Sequence, residues 1–260
     1  MTAALPPYYV LTAAVGLIVG SFLNVCIYRL PRGLSIVTPP SSCPNCGKKV
    51  RPWQNIPVIS YLALMGRCAC CKTHISLRYP VVELLNGIFY VLVYMKFGLT
   101  AYSIYYMMFM SMLIVITCID IDYQIIPDVI TLPGIVLGLL GSIFILPDPH
   151  LYGGVLGIKG SVTGLLVGGV IFYVIAVASR GGMGGGDIKF MAMAGATLGW
   201  KPVLLTIFIG SFAGSVYGVA LMVFKGKGRK TRIPFGPFLA LGAAISLFYG
   251  REIIAFYLKM

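Results

Sequence analysis

Seven apolar segments of the chain are each long enough to cross a lipid bilayer, and no other feature constrains the fold as strongly. A membrane-spanning helix needs about 17 to 25 consecutive, mostly apolar residues. The segments lie near 8–28, 80–97, 101–120, 128–146, 154–178, 202–224 and 235–257. A shorter stretch at 187–200 is rich in Gly, Ala and Met, and small residues let helices pack closely inside a bundle. We therefore predict an all-α polytopic membrane protein with about eight transmembrane helices.

The composition excludes an ordinary soluble domain. Of the 260 residues, 58% are hydrophobic and 10% are charged, and the mean hydropathy is +0.93. A soluble domain of this length cannot bury so much apolar surface, so most of it must face lipid. The first apolar run has no basic segment before it and no small-residue cleavage site after it. We expect residues 1–28 to be a retained first span rather than a cleaved signal peptide.

The basic residues are concentrated in three of the four loops that are predicted to lie on one side of the membrane. The formal net charge is +13, and Lys and Arg accumulate in the cytoplasmic loops of membrane proteins. Fifteen of the 20 basic residues fall within 29–79, 121–127, 179–189 and 225–234. These loops are therefore predicted to be cytoplasmic, with both termini on the opposite side, and the charge requires no nucleic-acid partner. The run KGKGRKTR at 225–232 is interpreted as an anchor beside anionic lipid, with a substrate contact as the alternative.

The polar insertion at 29–79 contains five of the seven cysteines. Two Cys-x-x-Cys pairs, separated by 21 residues, are formed by Cys43, Cys46, Cys68 and Cys71. Each pair can direct two thiolates at one metal ion, and four thiolates make the tetrahedral site that suits zinc. Disulfides or a redox-active pair are the alternatives, which a cytoplasmic position disfavours. We predict a small cytoplasmic zinc-knuckle domain between the first two spans, in which the zinc is structural because no coordination position is left open.

Other residues bear on the details of this metal site. Gly47 suits the sharp turn of the first knuckle, and Cys70 is left over as an alternative to one of the two cysteines near it. His74 is a rival ligand, although four cysteines suffice.

Cys26 and Cys118 lie in apolar runs and are predicted to be small core residues.

Three of the seven acidic residues have ordinary structural interpretations. Asp148 lies in LPDPH, which is typical of a turn, and Glu252 is interpreted as a paired or interfacial charge beside Arg251. Glu83 begins the second span, where a carboxylate suits the helix dipole. A functional role for Glu83 is the alternative.

Four aspartates fall at the predicted cytoplasmic ends of spans, where ionisable groups are functional candidates by default. They are Asp120, Asp122, Asp128 and Asp187. Asp120 and Asp122 are two positions apart, which on a helix separates them by about 200°, so they cannot line one site. Pro127 breaks any helix there, and Asp128 is expected either to cap the next span or to be functional.

Asp120 and Asp187 would make a pair that is chemically suited to hydrolysis. When two carboxylates share a proton, one can act as a base on water while the other donates to a carbonyl oxygen. This scheme needs no nucleophilic side chain, and the chain, with only His74 and His150, lacks a strong Ser-His or Cys-His arrangement. The glycines of GGMGGGDIKF at 181–190 would let a substrate backbone or the other carboxylate's helix approach closely. A flexible loop or a helix-packing surface is the alternative.

Several sequence motifs occur together and in a specific order. GSFLNVCIYRLP stands at 20–31, followed by CPNCG…RPWQNIPVISYLAL…CACC…RYPVVEL, by IDIDYQIIPD, by GGGDIKFMAMAGATLGW and by IPFGPFLALGA at 233–243. Over nearly the whole chain this order resembles the bacterial type IV prepilin peptidase family, the GxGD class of membrane aspartyl proteases. The resemblance assigns the catalytic carboxylates to Asp120 and Asp187, makes Gly184 and Gly186 the glycines of the GxGD motif, and makes 80–260 the transmembrane peptidase core.

The resemblance implies two activities at the cytoplasmic face of the bacterial inner membrane. Members of the family cleave the basic leader from type IV prepilins and pseudopilins, and many then methylate the new N-terminal residue, usually Phe, using S-adenosylmethionine. The expected partners are these substrates and membrane lipid, while the oligomeric state and the pilus or secretion system served are left open. No Gly-rich nucleotide-binding motif marks the methyl-donor site, for which Asn24, Arg78 and Glu83 are only guesses. The additional Cys70 and the short link from Arg32 to Cys43 depart from some relatives.

Two other functions remain as alternatives. A transporter could couple buried acids to proton or cation movement, with zinc as a folding device. However, both key acids lie at the predicted ends of spans, and no inverted repeat is evident. A non-catalytic zinc-binding adaptor would leave the acids unexplained.

Overall fold

The computed structural model describes residues 7–147, 154–179, 182–225 and 233–258, without the side chains of Lys225 and Leu258. Within these ranges the chain is helical, with three isolated β-bridges and no named strand. The helices are α1 (Pro7–Arg29), α2 (Ile59–Ala63), α3 (Arg78–Phe97), α4 (Ala101–Tyr123), α5 (Asp128–Phe144), α6 (Gly157–Ala178), α7 (Gly185–Leu198), α8 (Trp200–Lys225) and α9 (Gly236–Leu258). Single 3₁₀ turns occur at Leu30–Arg32 and Pro52–Gln54. The predicted turn at Asp148, together with His150, Gly181 and the basic residues at 226–232, lies outside the described residues.

Each of the eight predicted apolar segments corresponds to one helix, and the all-α membrane fold is confirmed. Among the described residues, six helices are long and apolar enough to cross a membrane, namely α1, α3, α4, α6, α8 and α9. α5 is shorter, with 17 residues, and α7 has only 14. The sequence did not predict α2, a five-residue helix within the polar insertion.

The chain divides into two compact units, a first unit of residues 1–115 and a second unit of residues 116–260. In the first unit α1 packs along α3. A buried polar network supports this packing, because the Asn86 amide donates to the carbonyl oxygen of Gly16 at 2.7 Å and accepts from the Ser111 hydroxyl at 2.8 Å. The separate prediction of a first span, a metal domain and a peptidase core is a functional division and stays a prediction.

In the second unit α7 occupies the interior. It contacts α5, α6, α8 and α9, and every residue from Phe190 to Leu198 is buried. Its backbone approaches that of α6 so closely that a Cβ atom added to Gly195 would lie 2.0 Å from the carbonyl oxygen of Gly164. The small residues of this segment therefore permit the internal packing that the sequence predicts.

The connection between α4 and α5 places acidic residues at two helix ends. α4 continues to Tyr123, and Pro127 is the N-cap of α5 in an extended conformation. Because proline restricts its own φ and disfavours helix in the residue before it, the chain leaves one helix and begins the next here. Asp120 is thereby held in the last turn of α4.

Candidate active site and metal centre

Asp120 is a buried carboxylate at the end of α4. It is only 5% exposed, and its Oδ2 accepts a 2.8 Å hydrogen bond from the backbone N–H of Gly236. Gly236 is the first residue of α9, so this N–H is one of the donors that a helix leaves unpaired at its N-terminus. The N-terminal end of a helix also favours negative charge. The start of α9 therefore orients the Asp120 carboxylate.

Gly236 is required at this position by the closeness of the carboxylate. A Cβ atom added there would lie 2.9 Å from Oδ2 of Asp120 and 3.1 Å from its Cγ. Both distances are shorter than ordinary van der Waals contact, so any side chain would displace the carboxylate or the helix. This contact gives a physical role to the IPFGPF motif, to which sequence analysis assigned none.

Asp187 lies in the first turn of α7, three residues after the N-cap Gly184. The backbone of Gly184 lies against the Asp187 carboxylate, since a Cβ added to Gly184 would be 3.6 Å from Oδ2. The charges of Asp187 and Asp120 are close enough to repel each other. Asp120 and Asp187 thus lie in the same unit, near enough for the charge of one to act on the other, and their role as a catalytic pair stays a prediction.

The glycine preceding Asp187 permits a close helix approach. A Cβ added to Gly186 would lie 2.8 Å from the Cβ of Ile126, a buried residue in the α4–α5 connection. The first turn of α7 therefore packs directly against the segment that follows Asp120. At this position the geometry disfavours a flexible loop, whereas close approach for catalysis and a helix-packing surface both fit the contact.

Asp122 and Asp128, which lie near Asp120 in the sequence, have different environments from Asp120 and Asp187. Asp122 is exposed whereas Asp120 is buried, as expected for residues on opposite sides of one helix. Asp128 is the first residue of α5 and makes no cap hydrogen bond, because the N-cap is Pro127. Instead its two carboxylate oxygens accept hydrogen bonds from Nζ of Lys189 at 2.8 and 2.7 Å. The expectation that Asp128 caps the span was therefore wrong, and the ion pair links α5 to the start of α7.

Four cysteines of the first unit form one cluster. The Sγ atoms of Cys43, Cys46, Cys68 and Cys71 all lie within 4.8 Å of one another. Cys43 and Cys71 are 3.7 Å apart, close to the roughly 3.8 Å edge of a tetrahedron with zinc–sulfur bonds of about 2.3 Å. All seven cysteines of the chain lie in described residues and are free thiols, so the cluster contains no disulfide. Its donor set and spacing fit zinc.

The two knuckles have the same backbone geometry. In each, an N–H four residues after the first cysteine donates to that cysteine's carbonyl oxygen, from Gly47 to Cys43 and from Lys72 to Cys68. Gly47 and Lys72 have positive φ angles of 67° and 58°. Antiparallel bridges then close both loops, Ser42 with Lys49 and Arg67 with His74. This local structural repeat was not noticed in the sequence beyond the repeated Cys-x-x-Cys spacing.

The other candidate ligands take no part in the cluster. Cys70 is exposed, and neither Cys70 nor His74 belongs to the group of converging ligands found in the described residues. Hydrogen bonds from the hydroxyl and backbone N–H of Thr73 are the main cause that lowers the pKa of the Cys71 thiol to about 5. A thiol with so low a pKa is largely thiolate at neutral pH, which is the form that binds metal.

Comparisons with known proteins find two matching family models and several relatives. Residues 14–97 match the family described as Bacterial Peptidase A24 N-terminal domain, and residues 107–219 match the Type IV leader peptidase family. A protein of Pseudomonas aeruginosa named "Prepilin leader peptidase/N-methyltransferase" is 38% identical over 95% of this chain and 92% of its own length. Proteins of the same name from Neisseria gonorrhoeae and Bacillus subtilis are 36% and 34% identical, each over 94% of this chain and over 91% and 96% of their own lengths. No solved structure matches the chain.

Proposed function

We propose that this chain, which belongs to the type IV leader peptidase family, cleaves prepilins and then N-methylates the product. The relatives' names supply the two activities, and the buried Asp120 carboxylate, held by the Gly236 N–H in the same unit as Asp187, is the observation that supports the first. The substrates are prepilins and pseudopilins, cleaved at the cytoplasmic face of the bacterial inner membrane. The distribution of basic residues supports that orientation.

In hydrolysis, one of the carboxylates of Asp120 and Asp187 acts as a base and the other as an acid. One carboxylate, ionised, takes a proton from water as the water oxygen bonds to the scissile carbonyl carbon. The other, protonated, donates its proton to the carbonyl oxygen, and a tetrahedral diol results. When that intermediate collapses, the C–N bond breaks, the leaving amine takes a proton from the protonated carboxylate, and a hydroxyl of the diol gives its proton to the ionised one. The cycle returns the pair to one ionised and one protonated carboxylate.

The backbone around the pair supports this division of roles. The Gly236 N–H binds one oxygen of Asp120, and under this proposal the other oxygen acts on water or substrate. Asp187 is held by the first turn of a helix whose remaining turns are buried. Both carboxylates are thus positioned by secondary structure rather than by mobile side chains, as catalysis that depends on orientation requires.

The four-cysteine cluster holds zinc in a structural role under this proposal. Four thiolates fill a tetrahedral coordination sphere, so no position is left for substrate or water. The zinc organises an insertion that has one short helix and two isolated bridges of its own. Removal of the metal should therefore unfold this insertion and leave the carboxylate pair in the second unit chemically intact.

Methyl transfer requires a donor, and S-adenosylmethionine supplies the methyl group when it is bound. The new N-terminal amine would use its lone pair to accept that methyl group, and the donor would leave as a neutral thioether. The amine loses one proton in the exchange. The amine must therefore be unprotonated when it attacks.

Mass spectrometry of a co-expressed prepilin tests both activities in one measurement. We expect cleavage at the leader junction and a mass increase of one methyl group on the new N-terminus. Unprocessed prepilin would contradict the peptidase assignment, and cleaved but unmethylated product would contradict the second activity alone. If the purified chain instead carries ions across liposomes in a manner that requires Asp187, the transporter alternative is favoured.

A further inference from the structure

A cavity of about 700 Å³ lies entirely within the first unit, where the cysteine-containing insertion meets α1 and α3. Cavities that bind small molecules and cofactors usually measure about 300 to 1,000 Å³. Its lining includes Ser21 and Asn24 of α1, Glu83 of α3, and part of the insertion. Neither Asp120 nor Asp187, the carboxylates proposed for hydrolysis, lines it.

Glu83 is the only acidic residue among the described residues that line this cavity. It is 7% exposed, and its Oε2 accepts a 2.8 Å hydrogen bond from the backbone N–H of Val58. The Ser21 hydroxyl also hydrogen-bonds to the carboxyl. A carboxylate this deeply buried is costly unless it is paired or hydrogen-bonded. The Val58 N–H and the Ser21 hydroxyl offset part of the free energy lost when the carboxylate leaves water, and a cation in the cavity would offset more.

The residue that binds Glu83 has an unusual backbone conformation. Val58 has φ 60° and ψ −49°, a region that β-branched residues rarely adopt. Strained residues persist where their surroundings hold them in place, and they occur preferentially at ligand sites. The Glu83 carboxylate therefore holds the wall of the cavity in a defined shape.

The remaining charge on the cavity wall has the opposite sign. Arg29, Lys48, Lys49 and Arg51 all line the cavity. Tyr61 and Tyr79 also line it, and aromatic rings can stack on a purine base. A ligand complementary to this wall carries at least one positive group, at least one negative group and an aromatic ring.

We propose that this cavity binds S-adenosylmethionine and that Glu83 supplies the negative charge for the positive groups of the donor. The sulfonium and the ammonium are positive, the carboxylate matches the basic side chains, and the adenine matches the aromatic ones. The inference rests on the proposed methyltransferase activity and adds the location of its donor site. Binding of the donor in this cavity requires no contact between Glu83 and the carboxylates of Asp120 and Asp187.

The test is direct binding of S-adenosylmethionine to the purified, zinc-loaded full chain, measured by titration calorimetry. Glu83→Gln keeps an oxygen that can accept the Val58 N–H but removes the charge. We expect it to weaken binding at least tenfold, about 1.4 kcal/mol, while the zinc content and melting temperature stay those of the unmodified chain. An affinity within twofold of the unmodified chain would overturn the proposal.

A second pair of variants probes the cavity itself. Asn55 is exposed and lines the cavity, whereas Ile59 is exposed and does not. Asn55→Trp should obstruct the donor and weaken its binding at least tenfold, and Ile59→Trp should leave it unchanged. Equal affinities for the two tryptophan variants would place the donor elsewhere.

A third measurement covers the case in which a variant fails to fold. Ultraviolet cross-linking of radiolabelled S-adenosylmethionine to the unmodified chain should label peptides within 21–83. Label found only in peptides of the second unit would overturn the inference while leaving methyl transfer intact. A chain that neither binds the donor nor methylates a cleaved prepilin would instead contradict the proposed function. If phosphatidylglycerol vesicles bind through the four basic residues and the donor does not displace them, the cavity is a lipid headgroup site and the inference fails.

Discussion

Gly236 and Asp120 lie 116 positions apart in the chain and are joined by a 2.8 Å hydrogen bond from backbone N–H to carboxylate. The bond links the last turn of α4 to the first residue of α9. It orients one of two acids proposed to activate water, and a glycine is needed to make it. The proposed active site therefore depends on a residue that has no side chain.

A methyl group at position 236 should damage catalysis more than stability. Gly236→Ala places a Cβ 2.9 Å from the Asp120 carboxylate oxygen, and displacement by about 1 Å can cost on the order of a hundredfold in rate. We expect prepilin cleavage to fall by roughly that factor in a time-course assay. Gly250→Ala in the same helix is the control, because its added Cβ meets nothing closer than 3.8 Å. Equal rates for both variants would show that the contact does not matter.

The two glycines next to each other before Asp187 should respond differently to the same change. A Cβ at Gly186 would lie 2.8 Å from Ile126, but a Cβ at Gly185 would meet no atom within 4 Å. Gly186→Ala should therefore reduce cleavage at least tenfold, by the same displacement argument, whereas Gly185→Ala should reduce it less than twofold. The pattern would be refuted if Gly185→Ala were the more damaging of the two.

Removal of either acid should abolish most of the peptidase activity. Proton transfer by a positioned side chain contributes about 10² to 10⁴ in rate, so Asp120→Asn and Asp187→Asn should each lose at least a hundredfold in prepilin cleavage. Residues that act as a unit are not additive, and the double variant should be little worse than either single one. Asp122→Asn, exposed and two positions from Asp120, should keep normal cleavage. Full activity in either single variant would exclude the dyad.

The ion pair between Lys189 and Asp128 should contribute little to stability. Its side chains are 41% and 54% exposed, and exposed pairs typically contribute about 0.2 to 1 kcal/mol. A double-mutant cycle with Lys189→Met and Asp128→Asn, followed by reversible unfolding in mixed detergent, should give a coupling free energy in that range. A coupling energy of several kcal/mol would mean that lipid or protein buries the pair more than the isolated chain does.

Metal analysis should find one zinc ion per chain. Cys43→Ser removes a converging ligand and should lower the zinc content to below half, measured by elemental mass spectrometry. Cys70→Ser, which changes an exposed cysteine outside the cluster, should retain one zinc ion. If loss of Cys70 instead removes the metal, the ligand set has been assigned incorrectly.

The sequence predicted the helices more completely than it predicted the contacts between them. Apolar length is a local property, so the spans were found within a few residues of their observed ends, and Pro127 marked the break between α4 and α5. The approach of Asp120 to Asp187 is a tertiary property of residues 67 positions apart, which spacing alone does not report. It was reached through the resemblance to a family.

Some local details also required the structure. Asp128 looked like a helix cap because it follows a proline, but the proline itself occupies the cap position and the carboxylate pairs with Lys189. Gly236 belongs to the motif at 233–243, but the sequence predicted no role for it, since nothing in the sequence shows which carboxylate its N–H would meet. The cavity beside Glu83 likewise needed three-dimensional packing, although a buried acid in an apolar span was a visible signal.

The bond between Gly236 and Asp120 also has a consequence for how the enzyme is made. A ribosome that has delivered the chain as far as α8 has already placed both acids in the membrane, but the donor that orients the first acid has not yet been synthesised. Truncated or stalled products would therefore hold two carboxylates without the group that positions one of them. Under the proposed mechanism, we therefore expect the two acids to reach full activity only after α9 has been inserted and its first N–H has met Asp120.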